Sequence, residues 1–152
     1  DCFLVDMPFH MAFFGMNRAE EIMQEYNYEA WYLGGHSLGG AMAANFAADY
    51  VEDHTDGIRG LLLLAAYPTK DLSTSDMSVV TVYGSEDGVL NMDKIVAGRE
   101  LMPQDYKEVC IEGGNHAQFG SYGAQKGDGT AAIPAEEQWA RTVEVFVGDE
   151  SE

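Results

Sequence analysis

Basic residues are scarce in this chain. Eight Lys and Arg face 26 Asp and Glu over 152 residues, a net charge of −18. A phosphate backbone or an anionic bilayer is bound through Lys and Arg, so nucleic acid and membrane surface are excluded as expected partners. The acidity reads as a solvated acidic face that would also slow the approach of anionic substrates. Cysteine is almost absent. Cys2 and Cys110 each sit in an apolar, strand-like run with no Cys-x-x-Cys spacing, which excludes a disulfide framework. Both are expected as small buried hydrophobes in a reduced compartment. No apolar run reaches the roughly 18 residues of a membrane span. No secretory signal is visible, which leaves the cytoplasm as the default compartment. Metal and nucleotide signatures are missing too: there is no H-E-x-x-H, no Walker A loop and no G-x-G-x-x-G after a first strand. The single Asp of "QKGDGT" (125–130) offers too few ligands for Ca²⁺ and reads as a turn. No metal and no cofactor are expected.

What remains is 46% hydrophobic and patterned as a globular α/β chain. "CFLVDM" (2–7), ended by Pro8, reads as a buried strand. "MNRAEEIMQEY" (16–26) carries apolar residues at helical spacing. "AWYLGG" (30–35) is a strand ending in glycines, and "LGGAMAANFAADYVEDH" (38–54) an Ala-rich helix. "GLLLLAAY" (60–67) and "SVVTVYG" (78–84) are strands of the kind covered on both faces. "NMDKIVAGREL" (91–101) reads as a helix, "YKEVCIEGG" (106–114) as a strand, and "PAEEQWARTVEVFV" (134–147) as a closing amphipathic helix with Pro134 in its first turn. Alternating strands and helices imply a mostly parallel sheet with helices on both faces. With no repeat and no linker, residues 1–152 form one domain. The chain opens at Asp1 on strand-like residues, so the expectation is the carboxyl-terminal two-thirds of a longer domain.

The chemistry centres on "WYLGGHSLGGAMAANFAADY" (31–50). Gly35-His36-Ser37-Leu38-Gly39 fits G-x-S-x-G between a strand and a helix. Such a turn holds its serine in a strained conformation and needs glycine at 35 and 39, where a side chain would meet neighbouring backbone. The Leu38 amide then lies at a helix amino terminus, placed to donate to a developing oxyanion. A serine hydroxyl needs a base. His116, in the loop after the last strand, sits at the carboxyl edge where catalytic groups gather in an open parallel sheet. His54 ends a helix, and His36 and His10 are expected to pack or line a pocket. The acid that orients the base is Asp87 in "VYGSEDGVL" (82–90). Glu86 is a solvated neighbour and Asp71 the runner-up. "MPFHMAFF" (7–14) offers Phe13 and Phe14 for an acyl or alcohol pocket, or for core packing.

With "LGGHSLGGAMAA" (33–44), "VYGSEDGV" (82–89), "GGNHAQFG" (113–120) and "DCFLVDMPFHMAFF" (1–14), the chain resembles the α/β-hydrolase superfamily. It is most similar to the dienelactone-hydrolase-like branch, small hydrolases with little or no cap domain. The resemblance implies Ser37 as nucleophile, Asp87 as acid, His116 as base and the Leu38 amide as one oxyanion donor. Dienelactone hydrolases proper carry cysteine at the nucleophile. Serine here moves the expectation to ordinary cleavage of carboxylic esters or thioesters through an acyl-enzyme. The superfamily also begins with further strands, one loop of which supplies a second oxyanion N–H, and none of these lies within the 152 residues. Missing strands would expose apolar sheet edge and favour a homo-oligomer. The alternatives are an acyltransferase using the same triad and a non-catalytic binding module of the same fold.

Overall fold

The computed structural model describes residues 1–6, 15, 18–54 and 57–148. Four strands, β1 (Trp31–His36), β2 (Ile58–Leu64), β3 (Ser78–Gly84) and β4 (Tyr106–Ile111), form one parallel sheet in the order β1-β2-β3-β4. The helices are α1 (Arg18–Glu25), α2 (Leu38–Asp53), α3 (Met92–Gly98) and α4 (Ala135–Gly148), with 3₁₀ turns at Arg99–Leu101 and Ala117–Phe119.

Side-chain alternation along the strands divides the core in two. Leu61, Leu63 and Val79 face one side and pack with Ala44, Phe46, Ala47 and Ala48 of α2. Val80, Val82 and Ile111 face the other, joined by Leu62, Leu64 and Val145 of α4. Helices therefore cover both faces, as expected from continuous apolar strands. The small residues of α2 let it lie close to the sheet, which is why an Ala-rich helix follows the first glycine turn.

The strands end together. Just past β1, the Ser37 N–H donates to Leu64 O at 2.8 Å; past β2, Ala65 N–H donates to Val82 O at 2.8 Å; past β3, Ser85 N–H donates to Ile111 O at 3.0 Å. Each turn residue is thus still tied to the last residues of the neighbouring strand. The turns leave the sheet in register, along one carboxyl edge.

Several sequence expectations are corrected. Residues 2–6 form no strand, and Leu4 is fully exposed; Met7 of that run lies outside the described residues. An apolar run becomes a strand only where a partner supplies its ladder. Here Phe3 instead packs its ring against Tyr26, at 4.6 Å, and Trp31, at 5.7 Å. The second and fourth strands end three residues early. The second stops where Ala65 turns to φ 47°, and the fourth where Gly113 turns to φ 77°. Both cysteines are exposed rather than buried. Cys110 lies on β4, the outer strand of the described sheet.

Candidate active site

Ser37 sits between β1 and α2 with φ 54° and ψ −123°. Among the described residues only Ala65 shares a positive φ without being glycine. A left-handed conformation costs a residue with a Cβ on the order of 1–3 kcal/mol, so the surroundings must enforce it. They do so through close backbone approach. A Cβ on Gly35 would lie 2.5 Å from Gly39 C and 2.6 Å from Gly40 N, and one on Gly40 would lie 2.5 Å from Gly35 O and 2.6 Å from Ala66 Cβ. The first turn of α2 is pressed onto the end of β1. This corrects the expected glycine pair: a Cβ on Gly39 meets nothing within 4 Å. The crowding falls at 35 and 40, because residue 40 is the one whose α-carbon faces the strand. Although Ser37 occupies the N-cap position of α2, its side chain makes no capping hydrogen bond. The hydroxyl is not spent on the helix. Leu38, the first helical residue, is half exposed at the amino end of a 16-residue helix.

Asp87 lies just beyond β3. Its Oδ1 accepts from the Val89 N–H at 2.9 Å and the Leu90 N–H at 2.8 Å, and its Oδ2 accepts from His116 Nδ1 at 2.8 Å. Both side chains are buried, at 2% and 1% exposure. Burial alone would raise the Asp87 carboxyl. The hydrogen bonds from His116, Leu90 and Val89 outweigh it and hold the group below its ordinary value of 3.8. An ionised carboxylate can only accept, so Nδ1 of His116 carries a proton, and in the neutral imidazole Nε2 is then the acceptor. That Nε2 is buried and has no hydrogen-bond partner among the described residues. A buried acceptor left unmade costs about 1–3 kcal/mol, which marks it as a place where a donor belongs.

His36 packs its ring 4.6 Å from that of His116, 6.0 Å from Phe119 and 5.9 Å from Tyr122, nearly parallel to the last. Burial first, and then the electrostatic interaction with the neighbouring His116, push its pKa down from 6.5, with Asp87 opposing. A histidine whose folded pKa is lowered stabilises the fold above its unfolded value and loses that contribution as pH falls below it. The wild-type melting temperature is expected to fall below about pH 6.5, and His36→Gln to flatten that limb. Parallel melting curves for the two proteins across that range would contradict the assignment.

Of the residues singled out in the sequence, the structure brings Asp87, His116 and His36 together, one residue from Ser37. It makes no hydrogen bond between the Ser37 hydroxyl and His116 Nε2. Asp71 stands apart: it is exposed and accepts the Ser73 N–H at 2.9 Å, as a turn residue does. Glu86 is exposed, and its carboxylate accepts from Ser85 Oγ at 3.2 Å. His54 closes α2, its Nδ1 3.1 Å from Tyr50 O. His10, Phe13 and Phe14 lie outside the described residues. A groove of about 870 Å³ runs beside β1, lined by Phe3, Trp31, Gly35, Met42 and Phe146 among others, and none of Ser37, Asp87 or His116 lines it. No cluster of three or more metal-ligating side chains occurs among the described residues, and none of their helices is long and apolar enough to cross a membrane.

Sequence reasoning missed the support beneath His116. Gln138 of α4 is fully buried; its Oε1 accepts the Asn115 N–H at 3.0 Å and its Nε2 donates to Asn115 O at 2.9 Å. The same Oε1 accepts from Gln118 Nε2 at 3.1 Å. A Cβ on Gly114 would strike it at 2.7 Å. The available signal was a glutamine on the inward stripe of an amphipathic helix, shared with Thr142 and Val145.

Solved structures with this fold are known. A "predicted CIB-like hydrolase" from Thermoplasma acidophilum matches with a TM-score of 0.62 at 16% identity, over 89% of this chain and 59% of its own. An alpha/beta hydrolase enzyme from the metagenome of sediments of the Mar Chica lagoon, Morocco, matches with a TM-score of 0.63 at 15% identity, over 91% and 71%. A dienelactone hydrolase-like promiscuous phosphotriesterase from metagenomic libraries matches with a TM-score of 0.61 at 13% identity, over 90% and 59%. The chain thus spans less than two thirds of the Thermoplasma protein and of the phosphotriesterase. At such identities the likeness is one of fold. A comparison with curated proteins found no match. The model of the alpha/beta hydrolase family matches residues 1–140, nearly the whole length. A parallel sheet with its strained serine at one strand end and a buried carboxylate–imidazole pair at two others is therefore no chance assembly: the chain belongs to the alpha/beta hydrolase family.

Proposed function

We propose that the chain is a serine hydrolase that cleaves small carboxylic esters or thioesters through an acyl-enzyme. Ser37 Oγ attacks the carbonyl carbon while its proton passes to His116 Nε2. Asp87 keeps the imidazole in the accepting tautomer and stabilises the imidazolium that forms. The Leu38 N–H meets the oxyanion at the amino end of α2. Collapse of the tetrahedral intermediate breaks the bond to the alcohol or thiol, which takes its proton from His116. Water then repeats the sequence on the acyl group, releasing the acid and restoring the Ser37 hydroxyl.

The observation that carries this reading is the buried Asp87–His116 pair with Nε2 left unpartnered, beside a strained serine whose hydroxyl does no capping. Solved structures of the same fold that bear carboxylesterase or hydrolase names support it. The test is reaction with a fluorophosphonate followed by intact-mass and peptide analysis. One adduct, on the peptide bearing Ser37, is the expected result. An adduct elsewhere, with Ser37 unmodified, would refute the assignment. Release of free acid from a panel of esters, with and without added alcohols, then separates hydrolysis from acyl transfer.

A further inference from the structure

The loop at 125–130 is more than a turn. The Asp128 carboxylate accepts four backbone N–H groups. Its Oδ1 takes those of Gly88 at 3.1 Å, His116 at 3.2 Å and Gly129 at 2.9 Å, and its Oδ2 takes that of Ala117 at 2.8 Å. Gly88 directly follows Asp87. One carboxylate therefore joins the turn that carries the acid to the turn that carries the histidine. Three of the four donors share Oδ1 and one takes Oδ2, and N–H bonds to a carboxylate are charge-assisted and so among the strong ones.

The surrounding backbone is shaped for this contact. A Cβ on Gly88 would lie 2.5 Å from Gly127 O, and one on Gly129 would lie 2.0 Å from Glu86 O. Only glycine lets the two loops approach so closely. Asn115 Nδ2 donates to Gly129 O at 2.9 Å and holds the loop from the histidine side. By contrast, Asp87 and His116 meet through a single side-chain hydrogen bond at 2.8 Å. That bond survives only if the two turns keep their separation, and the other bonds between their bases, Ser85 N–H to Ile111 O at 3.0 Å, Glu86 N–H to Gly114 O at 2.8 Å and Gly113 N–H to Ser85 Oγ at 2.8 Å, all lie before Asp87 and before His116.

We propose that Asp128 is a positioning residue, a carboxylate clamp that fixes the Asp87 turn against the His116 turn and so sets the imidazole in line for the serine. The proposal rests on the reading of Ser37, Asp87 and His116 as a triad. Asparagine is no substitute at this position. One of its two ends would turn an NH₂ toward backbone N–H groups that need an acceptor.

The test uses the whole chain and compares wild type, Asp128→Ala, Asp128→Asn and the exposed control Asp71→Ala. Two quantities are read below the melting temperature of each protein. One is the rate of fluorophosphonate labelling across pH. The other is the low-field proton resonance of the His116 Nδ1–H, assigned by its disappearance in His116→Asn. Asp128→Ala is expected to slow labelling by about 10²-fold, as displacement of a catalytic group by about 1 Å does, and to lose the resonance. Asp128→Asn is expected to fall between, and Asp71→Ala to match wild type. If Asp128→Ala does not fold, Asp128→Asn is judged on the same two readings. Retention of both the resonance and the wild-type rate overturns the clamp, even if the melting temperature drops. Should the wild type itself take no label, the hydrolase reading fails, and the resonance alone decides the clamp: lost in the variant, it stands; kept, it falls.

Discussion

Ser37→Ala is expected to abolish ester turnover, by a factor on the order of 10⁶ in kcat where the serine acts as a unit with its base. The change removes one oxygen from a residue whose hydroxyl makes no capping hydrogen bond, so the helix loses no cap with it. Alanine keeps the same Cβ as serine, and the Cβ is what makes a positive φ costly, so the strain at φ 54° is unchanged. Stability should therefore stay near that of the wild type while catalysis disappears. Steady-state hydrolysis of a chromogenic ester, with thermal melting alongside, checks both halves. Appreciable turnover in a folded Ser37→Ala protein would remove the serine from the mechanism.

The second large effect is expected at Asp87→Asn, about 10⁴-fold in kcat. The reason lies in the bonds already made. The Val89 and Leu90 N–H groups donate to one oxygen of Asp87, and an asparagine must keep its oxygen there to satisfy them. Its NH₂ then faces His116 Nδ1, where a carboxylate oxygen accepted a proton before. The imidazole responds by moving its proton to Nε2, the nitrogen required to be a base. Geometry is preserved and the tautomer is wrong. The variant should label with fluorophosphonate very slowly at neutral pH while melting near the wild type. Equal labelling rates for the two would mean that the acid is another residue. Asp87 also makes an acid-stability prediction of known sign. Its folded pKa is lowered, so its contribution is present above the ordinary carboxylate value and is lost as pH falls through the lowered one.

How much of this was legible beforehand depended on the range of each interaction. The elbow was readable because its requirements are local: an apolar strand, a serine and an Ala-rich helix within a few residues. Asp87 and His116 were readable because strand ends in a parallel sheet share one edge, so position along a strand predicts position in space. Gly40 was not distinguished from Gly39, since which glycine faces β1 depends on the rotation of the first turn of α2. Residues 2–6 have a strand's composition without a strand's partner, and composition says nothing about partners. Cys110 looked buried because β4 is apolar around it, whereas burial of an outer strand depends on what lies across it. Asp128 was hidden most deeply. In the sequence it is one aspartate among glycines, the usual mark of a turn. Its role arises from N–H groups 40 and 12 residues away, which no local pattern records.

The in-register strand ends carry a consequence for how the proposed site comes together. Asp87 rides on β3 and His116 on β4, and the pairing Gly84 with Ile111 fixes one against the other. A strand advances about 3.3 Å per residue and reverses face at each step. A slip of one residue between β3 and β4 would leave the helices and the fold's outline largely in place, yet turn the side chains of β4 to the opposite faces and carry the carboxylate out of reach of the imidazole. During refolding, then, helical signal and compactness should return first. The capacity to react at Ser37 should return last, as a late report that every strand has found its place.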